Sequence, residues 1–322
     1  MKAIVQDRFG GAEVLELRDV PDPVVGENDV LIQVRAAGCG PDVWHLMEGK
    51  PYLARLSPEV RKGMKTARGW DVAGRVDAVG ASVTEFRAGD EVMGFSRGSF
   101  AEFAVASADK LARKPANVTF EQAAAVPVSG CTALQALRDY ADVQPGQSVL
   151  VIGAGGGVGT LTVQIAKAFG ADVTAVCSTS NVEQARSLGA DRVVDYTQED
   201  FTKLEERHDL MLDIAGSRSF LAFRRVLTPE ATVVLVGGPM TYRGLGPLPH
   251  LGGTMLKSRG RSQTVKFFVA KINTADLVVM KELIEAGKVR SVIDRAYPLS
   301  EAVEALSYLG EGHARGKIVI TA

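Results

Sequence analysis

A glycine-rich turn between a β-like run and an amphipathic helical run constrains the fold of this chain more than any other feature. Ser148 to Ile152 is a run of β-forming residues, and five glycines follow within seven residues. Apolar residues then recur at helical spacing from Val158 to Phe169, and Gly170 ends the pattern as a helix C-cap does. Val173 to Cys177 predicts a second buried strand. The stretch therefore predicts a strand, a glycine turn, a helix and another strand.

The turn has the chemistry of a dinucleotide site. A helix N-terminus presents free backbone N–H groups and a partial positive charge, and glycines let a diphosphate approach the backbone closely. Glycine-rich turns also occur only to reverse the chain, but the strand before and the helix after favour the dinucleotide interpretation. The predicted contacts in the turn are Gly153, Gly156, Gly157, Val158 and Gly159.

The end of the second strand indicates which dinucleotide binds. For NAD, an acidic residue at this place accepts hydrogen bonds from a ribose hydroxyl. Here the chain reads Cys-Ser-Thr-Ser-Asn from Cys177, with no carboxylate, and small hydroxyls leave room for a 2′-phosphate and can donate to it. We therefore expect NADPH over NADH, with Ser178 and Ser180 as the leading contacts and Arg186 as a more distant charge. Alternatively, these hydroxyls only cap the helix that begins near Asn181.

The length and charge of the chain narrow its class. A chain of 322 residues is long for one core, so we expect two domains. The formal net charge of -1 gives no general attraction to nucleic acid or to anionic membranes. No apolar run approaches the ~20 residues that a membrane span needs, and the N-terminus begins as a strand instead of a signal peptide. We expect a cytoplasmic protein that acts on a small molecule, without nucleic acid or membrane partners.

The chain changes character near Thr119. Before it, short β-like runs broken by Gly, Pro and Asp predict a compact all-β, barrel-like module. After it, strands alternate with helices as a doubly wound parallel sheet requires, which gives an α/β fold class. The runs that predict the third to sixth strands of this sheet are Val193 to Tyr196, Asp209 to Ile214, Thr232 to Gly237 and Thr264 to Ala270. Three histidines are expected at the surface or in loops: His208, His250 and His313.

Several segments spread over nearly the whole chain carry a family resemblance. They are GWDVAGRVDAVG from Gly69, AGDEVMG from Ala88, GSFAEFAVAS from Gly98, AAAVPVSGCTALQAL from Ala123, the glycine turn, SLGADRVVDY from Ser187 and GKIVI from Gly316. In this order they resemble the medium-chain dehydrogenase/reductase superfamily, and within it the zinc-free branch of quinone oxidoreductases and enone reductases. The resemblance implies a GroES-like β-barrel catalytic domain from residues 1–122 and 273–322, and a Rossmann domain from residues 123–272. It also implies a homodimer through the edge strand near Thr264 to Ala270.

The residues that hold zinc in the zinc alcohol dehydrogenases are replaced here. Their Gly-His-Glu motif is matched by Gly69 to Asp71, so the indole of Trp70 stands at the position of a zinc-ligating histidine. Cys39 lies near the position of their first zinc cysteine, but the apolar Val128 stands near the third. We therefore predict no bound metal. Instead, Cys39, Trp70 and Asp71 are predicted to line an apolar substrate pocket.

Without zinc, an activated double bond is an easier substrate than an alcohol. Hydride delivered to the β-carbon of an enone moves charge to an enolate oxygen, which a few hydrogen-bond donors can stabilise. We predict NADPH-dependent reduction of an enone or a quinone. One alternative is a biosynthetic enoyl-thioester reductase, for which a basic run would line the pocket mouth: Arg55, Arg61, Lys62, Lys65 and Arg68. The other is a protein that binds NADPH without turnover.

Candidate catalytic donors lie in one segment after the third β-like run. Zinc-free relatives often carry an Asn that lines the substrate site where this chain has Gly40. Tyr52 is the first choice as donor or proton source, and His45 and Asp42 are weaker ones. Trp44 is added to the predicted pocket, although the aromatic residues here could simply pack on the barrel. The resemblance adds further cofactor contacts: Thr132, Tyr196, Gly237, Gly238, Asn273 and Lys317.

Overall fold

The computed structural model divides into two compact units. It describes residues 1–50, 52–56, 66–216, 218–237 and 248–322. One unit, here called the terminal unit because it contains both chain ends, comprises Met1–Cys131, Lys271–Gly287 and Ser291–Ala322. The other, the parallel-sheet unit, comprises Thr132–Ala270 and Lys288–Arg290. The first division thus falls after Cys131, where the predicted boundary is after residue 122, and the second after Ala270, where the predicted boundary is after residue 272.

The regular elements are numbered in chain order. The strands are β1 (Lys2–Gln6), β2 (Leu15–Asp19), β3 (Asp29–Cys39), β4 (Asp71–Val79), β5 (Glu91–Phe95), β6 (Phe103–Ser107), β7 (Leu111–Arg113), β8 (Ser148–Ile152), β9 (Asp172–Cys177), β10 (Arg192–Asp195), β11 (His208–Asp213), β12 (Leu227–Leu235), β13 (Thr264–Phe267), β14 (Ile293–Pro298) and β15 (Lys317–Thr321). The α-helices are α1 (Pro41–Glu48), α2 (Phe120–Ala124), α3 (Pro127–Gln135), α4 (Gly157–Ala168), α5 (Val182–Ser187), α6 (Phe220–Phe223), α7 (Leu248–Ser258), α8 (Thr274–Glu285) and α9 (Ala302–Gly310).

The terminal unit is built on a mixed seven-stranded sheet. The strand order is β14-β15-β3-β4-β5-β7, with β6 also paired to β3, and β1 and β2 form a separate pair. In β3 the side chains of Val30, Ile32 and Val34 are buried while Arg35 is exposed, as the two-residue period of a strand requires. The last strand, β15, runs antiparallel to β3, so the C-terminus completes a sheet that the N-terminal half begins.

The parallel-sheet unit has the doubly wound topology. Its six strands lie in the order β10-β9-β8-β11-β12-β13, and every adjacent pair is parallel. The strand order reverses beside β8, where open α/β sheets bind their ligands at the carboxyl ends of the strands. The two units together give the α/β fold class that the sequence predicts.

Local sequence signals fix the glycine turn and the helix after it. β8 has the bounds that the sequence predicts, and α4 ends before Gly170, whose φ of +83° is the left-handed conformation of a helix C-cap. The stretch from Gly238 to Lys257 is rich in Gly and Pro and shows no helical period in its sequence, yet its described part, residues 248–257, lies in α7.

Candidate functional site

The glycine turn connects the carboxyl end of β8 to the N-terminus of α4. Gly153 has a φ of +91°, and its N–H donates to the carbonyl of Val176 in the neighbouring strand β9. A Cβ on Gly159 would lie 2.1 Å from the carbonyl oxygen of Gly153, so the helix packs against the turn as only glycine allows. A Cβ on Gly156 would meet nothing within 4 Å. The turn therefore leaves open space beside Gly156, the N-cap of α4, and the first turn of a helix has backbone N–H groups without partners inside the helix, here including those of Gly157 and Val158.

A cluster of small polar side chains stands beside this turn, at the carboxyl end of β9. Ser178 Oγ lies 3.2 Å from Ser180 Oγ, and the Asn181 amide donates to Ser178 Oγ at 2.9 Å. Ser178 makes no side-chain capping bond within the described part of the chain, so its hydroxyl does not serve as the simple helix cap considered as an alternative. Arg186 forms an ion pair with Glu183, the adjacent acidic residue on α5.

The neighbouring strand β10 contributes a carboxylate and an aromatic residue to the same edge. Thr179 Oγ1 donates to Asp195 Oδ2 at 2.6 Å, and this bond is the main reason that the pKa of Asp195 lies below its usual value. The other oxygen, Oδ1, accepts from the N–H and hydroxyl of Thr197. The N–H of Tyr196 donates to the carbonyl of Cys177, and its side chain is exposed. The structure thus brings the predicted Tyr196 to the strand end that carries Ser178.

Further residues meet at the carboxyl ends of β11 and β12. Asp213, which is 1% exposed, accepts from the N–H of Gly216 and from His250 Nε2. Gly237 donates its N–H to the carbonyl of Asp213, whereas the predicted contact Gly238 lies outside the described residues. The expectation that His250 is a surface or loop residue is wrong, because α7 holds it half-buried against Asp213.

His208 is likewise not a surface residue. It is the first residue of β11, it is buried, and its Nδ1 donates to the carbonyl of Val226. Burial lowers the pKa of His208. No sequence pattern indicates that His208 is buried, because only the place of β11 within the sheet makes this position interior.

The terminal unit holds its polar centre in a buried ion pair. Lys317 Nζ at the start of β15 lies 2.8 Å from Asp71 Oδ2 at the start of β4, and both residues are no more than 5% exposed. Asp71 Oδ1 accepts from the N–H of Val128 at 2.8 Å. Both carboxylate oxygens are therefore satisfied, as a buried charge requires.

The charge of this pair follows from its neighbours. Burial lowers the pKa of an ammonium, but the carboxylates of Asp71 and Asp42 outweigh burial and raise the pKa of Lys317. The structure thus commits Lys317, predicted as a cofactor contact, to an internal bond with Asp71. Burial also raises the pKa of the nearby Cys39 thiol to about 12, so Cys39 is a neutral, packed side chain.

Gly40 leaves room for this centre. It precedes α1, and a Cβ on it would lie 2.5 Å from Asp42 Oδ1 and 3.3 Å from Lys317 Nζ. Five of the predicted residues, from three separate parts of the sequence, therefore surround one point of the terminal unit: Cys39, Gly40, Asp42, Asp71 and Lys317.

The two tryptophans pack on different surfaces of the terminal unit. Trp70 stacks on Phe95 with ring centroids 5.7 Å apart and planes within 5° of parallel. Trp44 packs against α9, where a Cβ on Gly310 would lie 2.3 Å from its ring. Both rings also border the cluster of buried residues that contains Cys39. Trp44 is thus packed within the terminal unit, and its place in the substrate pocket stays a prediction.

The three candidate donors occupy different environments. Tyr52 is 52% exposed, and the Arg55 guanidinium lies 4.7 Å from the centre of its ring. His45 lies half-buried in the last turn of α1, and burial lowers its pKa. Asp42, in the first turn of α1, stands beside the Lys317 centre. The structure thus brings Asp42, but not Tyr52, to the buried pair.

Two members of the basic run proposed for a thioester substrate lie in the described part of the chain, and of these Arg55 is half-buried and Arg68 is buried. Arg55 donates to the carbonyls of Gly49 and Glu48, and Arg68 is 5% exposed. Burial lowers the pKa of Arg68 to about 10. Arg68 is therefore misplaced in that prediction, and the members Arg61, Lys62 and Lys65 lie outside the described residues.

Two predicted cofactor contacts belong to helices. Asn273 is the N-cap of α8, where its Oδ1 accepts from the N–H of Asp276 and its amide donates to the Asp276 carboxylate. Thr132 lies in α3, where the parallel-sheet unit begins. Asn273 therefore has a clear capping function, which a sequence reading could have found from its place before a helical run.

The residues matched to zinc ligands do not fit a zinc ion. Trp70 offers only an N–H donor, the Cys39 thiol resists ionisation, and Asp71 is bound to Lys317. Among the described residues, no three His, Cys, Asp or Glu side chains are grouped to hold a metal. In the same part of the chain, no helix combines the length and the apolar character needed to cross a membrane.

Comparisons with known proteins agree with this architecture. The family model described as alcohol dehydrogenase GroES-like domain matches residues 26–116, and the model described as zinc-binding dehydrogenase matches residues 188–320. The NADPH-dependent alkenal/one oxidoreductase of Arabidopsis thaliana chloroplasts is 35% identical over 99% of this chain and 79% of its own length. The chloroplast envelope quinone oxidoreductase homolog of the same plant is 34% identical over 97% of this chain and 95% of its own. The solved quinone oxidoreductase of Coxiella burnetii superposes with a TM-score of 0.88, at 31% identity over 100% of this chain and 99% of its own.

These matches cover nearly all of the chain and confirm the resemblance in its sequence motifs. The chain belongs to the medium-chain dehydrogenase/reductase superfamily. Within that superfamily, its place is in the branch of quinone oxidoreductases and enone reductases.

Proposed function

We propose that this protein is an NADPH-dependent oxidoreductase that reduces an enone or a quinone by hydride transfer without zinc. The observation that carries the proposal is the neutral Ser178 and Ser180 pair beside the glycine turn, at the strand end where an NAD site has a carboxylate. A relative 35% identical to this chain is named an NADPH-dependent alkenal/one oxidoreductase, and others are named quinone oxidoreductases.

The parallel-sheet unit provides the groups that would hold NADPH. The N–H groups at the start of α4 face the open space at Gly156 and suit a diphosphate. Ser178, Ser180 and Tyr196 stand at the adjoining strand ends and suit a phosphorylated ribose. When bound, NADPH supplies the hydride. Asn273 caps α8 and Lys317 is bonded to Asp71, and their predicted contacts with the cofactor stay predictions.

The terminal unit provides the groups that would act on the substrate. Hydride addition at the β-carbon of an enone places a negative charge on the carbonyl oxygen, and a proton then completes the product at the α-carbon. The exposed Tyr52 hydroxyl is our proposed donor to that oxygen. His45 is the second candidate, since its lowered pKa keeps the imidazole neutral near pH 7, as an N–H donor. A quinone accepts hydride in the same way and becomes a hydroquinone after protonation.

Stopped-flow spectroscopy tests this function directly. NADPH absorbance should decay when the protein–NADPH complex is mixed with 2-cyclohexen-1-one or 1,4-benzoquinone, and NADH should react less well at equal concentration. Metal analysis of the same preparation should find far less than one zinc per chain. Tight NADPH binding without consumption across a panel of enones and quinones would favour the non-catalytic alternative.

We also propose that the protein is a homodimer through β13. This strand is an edge of the parallel sheet, and Phe267 and Val269 expose apolar side chains there. An uncovered apolar edge is a ready site for strand pairing with a second copy. Analytical ultracentrifugation should find a dimer, and Val265→Pro, which removes a backbone donor from the edge strand, should shift it toward monomer. A cytoplasmic location stays a prediction from the sequence.

A further inference from the structure

Asn181 is a buried polar side chain between the glycine turn and the end of β9. It is 8% exposed, and a Cβ on Gly155 would lie 2.7 Å from its amide carbon. Its Nδ2 donates to Ser178 Oγ at 2.9 Å. Within the described residues, its Oδ1 is buried without a hydrogen-bond partner. Because an unpaired buried carbonyl opposes folding, packing alone would be better served by an apolar side chain here.

The bond from Asn181 fixes the direction of the Ser178 hydroxyl. A hydroxyl has one proton to donate, and an oxygen that already accepts from an amide directs that proton elsewhere. The Ser178 proton can therefore go to Ser180 Oγ, 3.2 Å away, or to a ligand. Either choice ends in a hydroxyl that donates outward, because Ser180 is exposed. Hydrogen bonds in such a chain polarise and strengthen one another.

The third hydroxyl of this turn is directed away from the chain. Thr179 Oγ1 donates to Asp195, an ionised carboxylate that it holds at 2.6 Å. Thr179 thus has no proton left for an anion, whereas Ser178 and Ser180 have theirs arranged for one. Neighbouring hydroxyls are therefore oriented by different partners: Asp195 accepts the proton of Thr179, whereas the Asn181 amide donates to Ser178 and leaves the Ser178 proton available.

We propose that Asn181 is a positioning residue that selects the 2′-phosphate of the dinucleotide, by holding the Ser178 hydroxyl as a donor. This rests on the proposed use of NADPH and adds the residue that sets the preference. Asn181 acts through Ser178 and not by contact with the ligand, so its effect depends on Ser178 being present and on the ligand having a 2′-phosphate.

A double-mutant cycle tests this dependence. Wild type, Asn181→Ala, Ser178→Ala and the double variant are titrated with NADPH, NADH, adenosine 2′,5′-bisphosphate and adenosine 5′-monophosphate in a calorimeter. Asn181→Ala should weaken both 2′-phosphate ligands about tenfold, the size of one lost hydrogen bond to a charged group, and leave the other two within about twofold. The double variant should be no weaker than Ser178→Ala alone.

Two more variants separate positioning from packing. Thr179→Ala, in the same turn, should leave the ratio of NADPH to NADH affinity unchanged. Asn181→Asp keeps the shape but accepts from Ser178 where Asn donates, so it should lose the preference for NADPH even if Asn181→Ala folds poorly. Because its carboxylate also repels a 2′-phosphate directly, the same change is measured in the Ser178→Ala background, where positioning predicts no further loss and repulsion predicts one. Equal weakening of all four ligands, or additive losses in the cycle, would overturn the inference while the proposed function stands. Equal affinity of the wild type for NADPH and NADH would overturn both.

Discussion

The two polar centres of this molecule are built on opposite principles. The cluster at the end of β9 is neutral, reaches the surface at Thr179 and Ser180, and uses residues close together in the chain, Ser178 to Asn181. The centre of the terminal unit is charged, buried and joined across 246 residues, from Asp71 to Lys317. A neutral surface cluster can exchange its bonds with a ligand at small cost, whereas a buried ion pair must keep its own partner. The first centre is thus suited to binding, and the second to holding strands together.

The largest expected effect is the loss of stability when one residue of the buried ion pair is replaced. Lys317→Met should destabilise the protein by about 3–5 kcal/mol, because the Asp71 carboxylate stays buried without its counter-charge. Chemical denaturation of the protein, followed by the fluorescence of Trp44 and Trp70, which both lie in the terminal unit, measures this loss. Adding Asp71→Asn should recover part of it, since the amide oxygen can still accept from Val128. If Lys317→Met alone were as stable as wild type, the buried pair would not hold the strands together, and the proposed difference between the two centres would be wrong.

The stability of the glycine turn should depend on side-chain size, whereas that of the buried ion pair depends on charge. Gly159→Ala places a Cβ 2.1 Å from the backbone carbonyl of Gly153, which cannot give way, so it should cost about 3 kcal/mol. Gly156→Ala is the matched control, because its Cβ meets nothing within 4 Å. The melting temperature of Gly156→Ala should stay close to that of wild type. If its NADPH affinity nevertheless falls, the open space at Gly156 is where the ligand approaches.

The contrast between the two centres also explains what the sequence could predict. The parallel-sheet site depends on local signals: the glycine spacing sets the turn, Gly170 ends the helix, and the residues after β9 follow directly. The bond between Asp71 and Lys317 has no such signal, because the topology alone brings β4 and β15 together through β3. The sequence places Asp71 in the substrate pocket and Lys317 among the cofactor contacts, and it does not predict that the two are bonded to each other.

The remaining errors have the same cause. His208 follows a charged run, Glu205 to Arg207, and His250 lies in a Gly- and Pro-rich segment without a helical period. Only the assembled fold buries the first in β11 and brings the second to the Asp213 carboxylate. The helix α7 contains Gly252 and Gly253, which have poor helix propensity, so packing and not local preference determines its conformation. Local patterns predict elements, whereas burial depends on how those elements assemble.

His208 should make the stability of the parallel-sheet unit depend on pH, whereas the side chains of Ser178 to Asn181 do not titrate in this range. Its folded pKa lies below the ordinary 6.5, so the unfolded chain binds the proton more readily. Stability is therefore complete above pH 6.5 and falls as the pH is lowered toward the folded pKa, by at most about 1.4 kcal/mol per pH unit. Thermal unfolding between pH 5 and pH 8 should show a shallower slope for His208→Gln, whereas the exposed His313→Gln should follow wild type.

The smallest effect is expected at Gly40, and it tests how tightly the buried pair is enclosed. The backbone there, with φ −132° and ψ 166°, suits any residue, and the atom nearest to an added Cβ is the mobile carboxylate end of Asp42. Gly40→Ala should therefore change the free energy of unfolding by less than about 1 kcal/mol, since the lower entropy of the unfolded chain offsets the contact. Gly38→Ala, whose Cβ would lie 2.5 Å from the Ala124 carbonyl, should cost much more. Similar losses in both variants would mean that Asp42 is held as rigidly as backbone, and that the charged centre extends beyond Asp71 and Lys317 to include it.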